Sequence, residues 1–259
     1  MASPVLSRMN FFQKRYRHDN SVHRLSGMRT GADFDNYYKK KRDPWGAFTN
    51  KFTREYLFEW IFKKYVTGRS AMELGCGEGY HSEVISQFAS HVTGVDISEV
   101  ALQRARERNI ANAEFVKEDF LNVDFEKSEC LIALECIYYL EPQERQKFFD
   151  RVDNWLSKGN RYFIFSTPII GGNNYRYYFS MEDLSNLFTS KNWRINQSKK
   201  LNLYFDHFKG GSKFIFKLID KLLHPNVLKI TTMPIRILQM FDDNLVYQKV
   251  FVASKGENS

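Results

Sequence analysis

The stretch that most constrains this chain is Ala71-Met-Glu-Leu-Gly-Cys-Gly-Glu-Gly-Tyr-His81. A short apolar segment runs into a carboxylate, Glu73, and glycines alternate at 75, 77 and 79. Tyr80–Phe88 then reads as the opening of a helix. Glycine has no Cβ, so the backbone can turn sharply and lie against a ligand. Strand, glycine loop and helix in this order open a doubly wound α/β domain. The dinucleotide pattern Gly-x-Gly-x-x-Gly, begun at Gly75, would need its last glycine where the chain has Tyr80. It would also bring a pyrophosphate near Glu73, which repels it. The loop suits a ligand with a cationic head and no phosphate, and disfavours a nicotinamide dinucleotide.

The following segments alternate as βαβα units do. Strands are expected at Ser70–Leu74, His91–Val95, Ala113–Lys117, Glu129–Leu134 and Arg161–Ser166, with two more near Arg194–Tyr204 and Asn244–Ser254. Glu129–Leu134 is apolar enough for both faces to be covered, as in a central parallel strand. Helices are expected at Asn50–Tyr65, after a Ser98 cap, at Pro142–Leu156 with Phe148, Phe149, Val152 and Trp155 inward, and at Met181–Thr189. Gly211–Asp242 is too long for a hairpin turn. In its first part Lys213, Lys217, Asp220 and Lys221 share one narrow helical face. The wide apolar remainder covers the sheet as a pocket wall, or lies on a membrane surface through residues 213–223.

In a parallel doubly wound sheet, ligands bind at the carboxyl ends of the strands. The expected strands end in Glu73, Asp96, Asp119 and Glu135. Asp96 lies where a carboxylate can accept both ribose hydroxyls. Asp119 can accept from an adenine amino group, with Phe120 against the ring or bonded to it through its backbone. Glu73 works indirectly, orienting loop amides or a water. Glu135 either holds an acceptor amine or hydroxyl or supports the cofactor. Tyr138 and Tyr139 follow close behind it. A base for an alcohol acceptor would come from His81, Glu135, Tyr139 or His207. Trp45, in a turn between Pro44 and Gly46, either caps the ligand or packs the N-terminal region onto the domain.

Four motifs occur in order across residues 70–170: Glu-Leu-Gly-Cys-Gly-Glu-Gly, Thr-Gly-Val-Asp-Ile-Ser, Val-Lys-Glu-Asp-Phe and Leu-Glu-Cys-Ile-Tyr-Tyr-Leu. With them the chain resembles the class I S-adenosylmethionine-dependent methyltransferases. The resemblance implies a Rossmann-like, doubly wound seven-stranded sheet with the last strand antiparallel. To this α/β core the chain adds an N-terminal arm and a helical insertion before the last strand. It also implies S-adenosylmethionine as cofactor, whose sulfonium and ammonium match the cationic head inferred above. The expected cofactor contacts are Glu73, Gly75, Cys76, Gly77, Asp96, Ile97, Asp119, Phe120, Glu135 and Trp45. The expected catalytic residues are Glu135, Tyr139 and His81. A narrower resemblance is to the nodulation protein S-like methyltransferases, which N-methylate an amino sugar of a lipo-chitooligosaccharide. It rests on Asp43-Pro44-Trp45 and Glu135-Cys-Ile-Tyr-Tyr-Leu140, and departs where Phe52-Thr53 replaces an expected Tyr-Glu pair. The implied reaction is methyl transfer to a nitrogen or oxygen of a small-molecule or glycolipid-like acceptor.

Charge bears on the alternative. The net charge is +8, yet residues 1–42 hold ten Lys/Arg against three Asp/Glu, while the remainder holds 28 against 27. The basicity thus belongs to the N-terminal region and not to the domain. Residues 1–32 read as a basic arm, poorly ordered, a transit segment to an organelle, or a clamp on an anionic partner. Residues 33–259 read as the domain. An RNA methyltransferase, or an RNA-binding protein of the same fold using 1–42, is the competing reading. Cys76, Cys130 and Cys136 lack zinc-type spacing, no metal is expected, and isolated apolar settings suggest buried thiols in a cytoplasmic protein.

Overall fold

A computed structural model describes residues 30–44, 51–169, 179–201 and 248–256, without the side chains of 51–57, 200, 201 and 248. Seven strands form one sheet: β1 Ser70–Leu74, β2 His91–Asp96, β3 Ala113–Lys117, β4 Cys130–Ala133, β5 Tyr162–Pro168, β6 Trp193–Leu201 and β7 Gln248–Lys255. Their order across the sheet is β3-β2-β1-β4-β5-β7-β6. β1 to β5 pair in parallel, and β7 runs antiparallel to both β5 and β6. The Rossmann-like sheet with an antiparallel last strand is therefore present.

Side-chain alternation along buried strands sends successive residues to opposite faces. In β4, Leu131 and Ala133 join a core with Phe148, Phe149, Trp155 and Phe163. Cys130 and Ile132 join the other core with Phe58, Ile61, Phe62 and Ile85. Helices α2 (Lys51–Tyr65) and α3 (Tyr80–Ile85) cover the latter face. Helix α5 (Pro142–Leu156) and α6 (Met181–Ser190) cover the former, with Phe148, Phe149, Val152 and Trp155 buried as expected. Helix α4 (Glu99–Arg106) follows β2, and Ser98 caps it by accepting from the Ala101 amide at 3.2 Å. All three cysteines are free and buried.

One element has no counterpart in the sequence reading. Helix α1, Gly31–Lys40, begins two residues inside the expected arm. Its signal was present in Thr30-x-x-Asp33. The Thr30 hydroxyl accepts from the Asp33 amide at 3.3 Å and the Asp33 carboxylate accepts from the Thr30 amide at 2.9 Å, a reciprocal cap that closes the first turn. Among the described residues, no helix is long and apolar enough to cross a membrane. Residues 1–29, Trp45, the 171–178 loop, His207 and the 211–242 insertion lie outside the described residues.

Candidate active site

The glycine loop leaves β1 between two close neighbours. Gly75 and Gly77 have φ of +68° and +54°, a left-handed conformation costly for other residues. A Cβ at Gly75 would lie 2.9 Å from the Cys136 Cβ, and one at Gly77 would lie 2.8 Å from the Tyr38 hydroxyl. Conformation and space both demand glycine there. Cys76 shapes the loop from within. Its amide donates to Val95 O at 3.0 Å, its carbonyl accepts from the Gly79 amide, and its buried thiol faces Gly77 O at 3.8 Å.

Asp96 ends β2 and ties the loop to α4. Its Oδ2 accepts from the Gly77 amide and its Oδ1 from the Ser98 amide, each at 2.8 Å. A carboxylate has about four lone-pair positions, so each oxygen can accept one more hydrogen bond. Burial pushes its carboxyl up to about 6, against the opposing pull of the Ser98 and Gly77 amides. Ile97 follows half-buried, its carbonyl pressed by α1 at Gly31.

Glu73, fully buried, accepts from the Ser82 hydroxyl through Oε2 and faces His81 Nδ1 at 3.5 Å through Oε1. It joins β1 to the first turn of α3. His81 packs edge-on to Phe58, ring centroids 5.6 Å apart. Its contacts are thus to Glu73 and Phe58, and the structure does not bring it together with Glu135 and Tyr139.

Asp119, half-buried after β3, accepts from the Leu121 amide at 2.9 Å. Its carbonyl accepts from the Asn122 and Val123 amides, which makes a compact turn. The Phe120 ring packs edge-on to Phe148 at 5.7 Å and belongs to the core. One edge of the half-buried Phe120 ring is thereby engaged within the protein.

Glu135, at the end of β4, adopts φ +60°. Its amide donates to Ser166 Oγ at 2.9 Å, and that hydroxyl lies 3.3 Å from Glu135 Oε1. The next turn, a 3-10 helix at Ile137–Tyr139, places Tyr138 and Tyr139 against each other, centroids 4.9 Å apart. Phe34 of α1 meets Tyr139 edge-on at 5.8 Å. Burial, and then the Glu135 charge, hold the Tyr139 phenol above its ordinary range. A phenol that resists ionisation is suited to donate a hydrogen bond and to wall the site.

The carboxylates give the loop its electrostatic character. Burial pushes the Cys136 thiol well above its usual range, and Glu73, Asp96 and Glu135 add to it in that order. A thiolate is disfavoured by the same negative potential that favours a sulfonium and an ammonium and repels a phosphate. S-adenosylmethionine fits these residues: a loop open only to glycine, a carboxylate with spare acceptor positions, and a negative potential.

Sheet order, glycine loop and the carboxylates at the strand ends are arranged as in the class I, S-adenosylmethionine-dependent methyltransferase fold. Residues 71–159 match the family described as methyltransferase domain. The chain is similar to nodulation protein S of Azorhizobium caulinodans, 26% identical over 133 residues. That match covers 49% of this chain and spans 63% of the relative's length. Among solved structures it is similar to the N-methyltransferase NodS of Bradyrhizobium japonicum in complex with S-adenosyl-L-homocysteine, with a TM-score of 0.58 and 15% identity. The overlap covers 86% of this chain and 100% of that one. It is also similar to the 1,6-didemethyltoxoflavin-N1-methyltransferase of Burkholderia thailandensis, with a TM-score of 0.57, 14% identity, and 99% and 92% coverage.

Sequence reasoning missed Asp35, Tyr38, Glu78 and Arg104. Asp35 accepts from the Ser98 hydroxyl at 2.6 Å and from the Val100 amide at 3.1 Å. Glu78 stood in plain view inside the glycine loop. Its partner Arg104 lies 26 residues on, in helix α4, and no local pattern links the two.

Proposed function

We propose that this protein transfers a methyl group from S-adenosylmethionine to a nitrogen or oxygen of a small-molecule or glycolipid-like acceptor. The observation that carries this is Glu135. A non-glycine residue held in the left-handed region stores roughly 1–3 kcal/mol of strain, which persists only where the surroundings impose it. Here the surroundings hold a carboxylate at the carboxyl end of β4, with Ser166 bonded to its amide and Tyr139 near enough to feel its charge.

When bound, S-adenosylmethionine supplies an electrophilic methyl group. The chain's own residues do the rest. Asp96 would hold the ribose diol, Gly75 and Gly77 would let the backbone approach, and Asp119 and the Phe120 backbone would face the adenine. Glu135 would orient the acceptor nitrogen or hydroxyl and take its proton. Tyr139, kept protonated, would donate a hydrogen bond to the acceptor, and the aromatic wall would exclude water. Alignment and desolvation of this kind account for much of the acceleration of a displacement reaction. Two of the similar proteins are named as N-methyltransferases, which supports an amine acceptor.

The test is a radiolabel-transfer screen over amines, amino sugars, phenols, lipids and RNA, with Glu135→Gln beside the wild type. Loss of a general base should lower kcat by about 10²–10⁴-fold, with affinity for S-adenosylhomocysteine unchanged. A loss of that affinity instead would assign Glu135 to the cofactor. Labelling of RNA alone, abolished by deleting residues 1–29, would install the second reading, which the charge of residues 1–42 favours. We place the protein in the cytoplasm, a reading supported by three buried free thiols. Peripheral membrane contact through residues 213–223 is the companion proposal, to be tested by co-sedimentation with anionic vesicles.

A further inference from the structure

Helix α1 crosses the carboxyl edge of the sheet and touches both halves of the site. At one end of the site the Tyr38 hydroxyl lies where a Gly77 side chain would stand. At the other, Phe34 rests on Tyr139. Between them Asp35 is bonded to Ser98, whose amide donates to Asp96. This helix of ten residues has a further set of bonds at its carboxyl end.

These bonds centre on Glu78, between Gly77 and Gly79, with only 6% of its surface exposed. Its carboxylate accepts from Arg104 Nη1 at 2.6 Å and from the Asp43 amide at 3.2 and 3.3 Å. The Tyr80 hydroxyl donates to it at 3.2 Å. The Arg104 guanidinium reaches back to α1, donating from Nη2 to Tyr38 O at 2.9 Å and from Nη1 to Lys41 O at 3.3 Å. Orphan carbonyls at a helix end seek donors, and a cation there is favoured by the helix dipole. Both Arg104 and Glu78 are largely buried, so neither is a solvated surface charge. A carboxylate inside the glycine loop is ill suited to face a phosphate-free cation directly once it is spent on Arg104 and Asp43. Its bonds point to the lid.

We propose that Glu78 and Arg104 are positioning residues whose buried ion pair clasps α1 over the methyl-donor site, so that Tyr38 closes the site at Gly77 and Phe34 closes it at Tyr139. The inference rests on the donor reading given above. The clasp couples lid and loop: the residue that anchors the lid is part of the loop that meets the donor. A lid of this kind slows donor escape and completes the acceptor wall only when the donor loop is in its binding geometry.

The experiment uses the full chain with S-adenosylhomocysteine as probe and two readouts besides turnover. One is the dissociation rate of the probe by stopped flow. The other is tryptic cleavage within the exposed Lys39–Arg42 run at the end of α1, with and without the probe. Glu78→Ala and Arg104→Ala should each speed dissociation by at least about tenfold and speed tryptic cleavage of the run as the helix loosens, and the double variant should be no worse than either, because one pair is broken in all three. Glu78→Gln, which retains acceptance from the Asp43 amide without the charge, should fall between, and it carries the test if the alanine variants do not fold. An unchanged dissociation rate, with or without faster tryptic cleavage, would overturn the proposal, as would effects that add. Failure of the wild type to bind the probe would instead sink the donor reading.

Discussion

Asp96→Asn isolates the site's central carboxylate. The substitution is isosteric, but an amide has one acceptor oxygen where the carboxylate has two. Both oxygens are in use, toward Gly77 and Ser98 at 2.8 Å each, so the new NH₂ must confront one of these amides. The ribose diol, donating to the same group, would lose charge-assisted hydrogen bonds worth about 1.5–3 kcal/mol, or about tenfold to 150-fold in affinity. The pH dependence sharpens the test. Because burial lifts the carboxyl from 3.8 to about 6, wild-type affinity for S-adenosylhomocysteine should weaken about tenfold one unit below that midpoint, as the acceptor becomes protonated. The variant should show no such limb. In the empty protein the sign is opposite. A raised carboxyl contributes stability that is complete below its unfolded value and lost as pH rises through about 6, so ionised Asp96 costs the empty fold about 3 kcal/mol near neutrality. Calorimetric titration across about pH 5 to 8 reads the binding limb, and thermal unfolding over about pH 3.5 to 7 reads the stability one. Asparagine affinity within twofold of wild type, or a flat wild-type binding profile, would show that the ribose is not held here.

Gly77→Ala places a methyl 2.8 Å from the Tyr38 hydroxyl and holds alanine at φ +54°. Left-handed strain of about 1–2 kcal/mol plus displacement of Tyr38 should weaken probe binding at least tenfold by calorimetry, and unchanged binding would refute the close approach. Tyr139→Phe keeps the ring and removes a hydroxyl whose ionisation burial opposes. Its kcat should fall by less than the ~10²-fold of a lost general base, with the alkaline limb of the pH–rate profile unmoved. Disappearance of that limb would make Tyr139 the base after all.

Sequence alone determined the sheet and the carboxylates at its carboxyl edge, because both are written in local patterns. Glu73, the alternating glycines and the strand-terminal Asp96 and Glu135 are read from neighbours a few residues away. Periodicity placed α5 and its buried face without reference to anything distant. Helix α1 was legible only through Thr30 and Asp33, a cap too short to stand out beside the aromatic run after it. The tertiary structure supplies the neighbours that sequence could not: Phe148 beside Phe120, Glu73 and Phe58 beside His81, and Phe34 beside Tyr139. Only the tertiary structure decided that a glutamate inside the glycine loop holds a helix from the N-terminal region across the site. Glu78 and Arg104 are joined through space, between separate elements, and a charge pair of that kind has no period and no spacing by which a linear sequence could announce it.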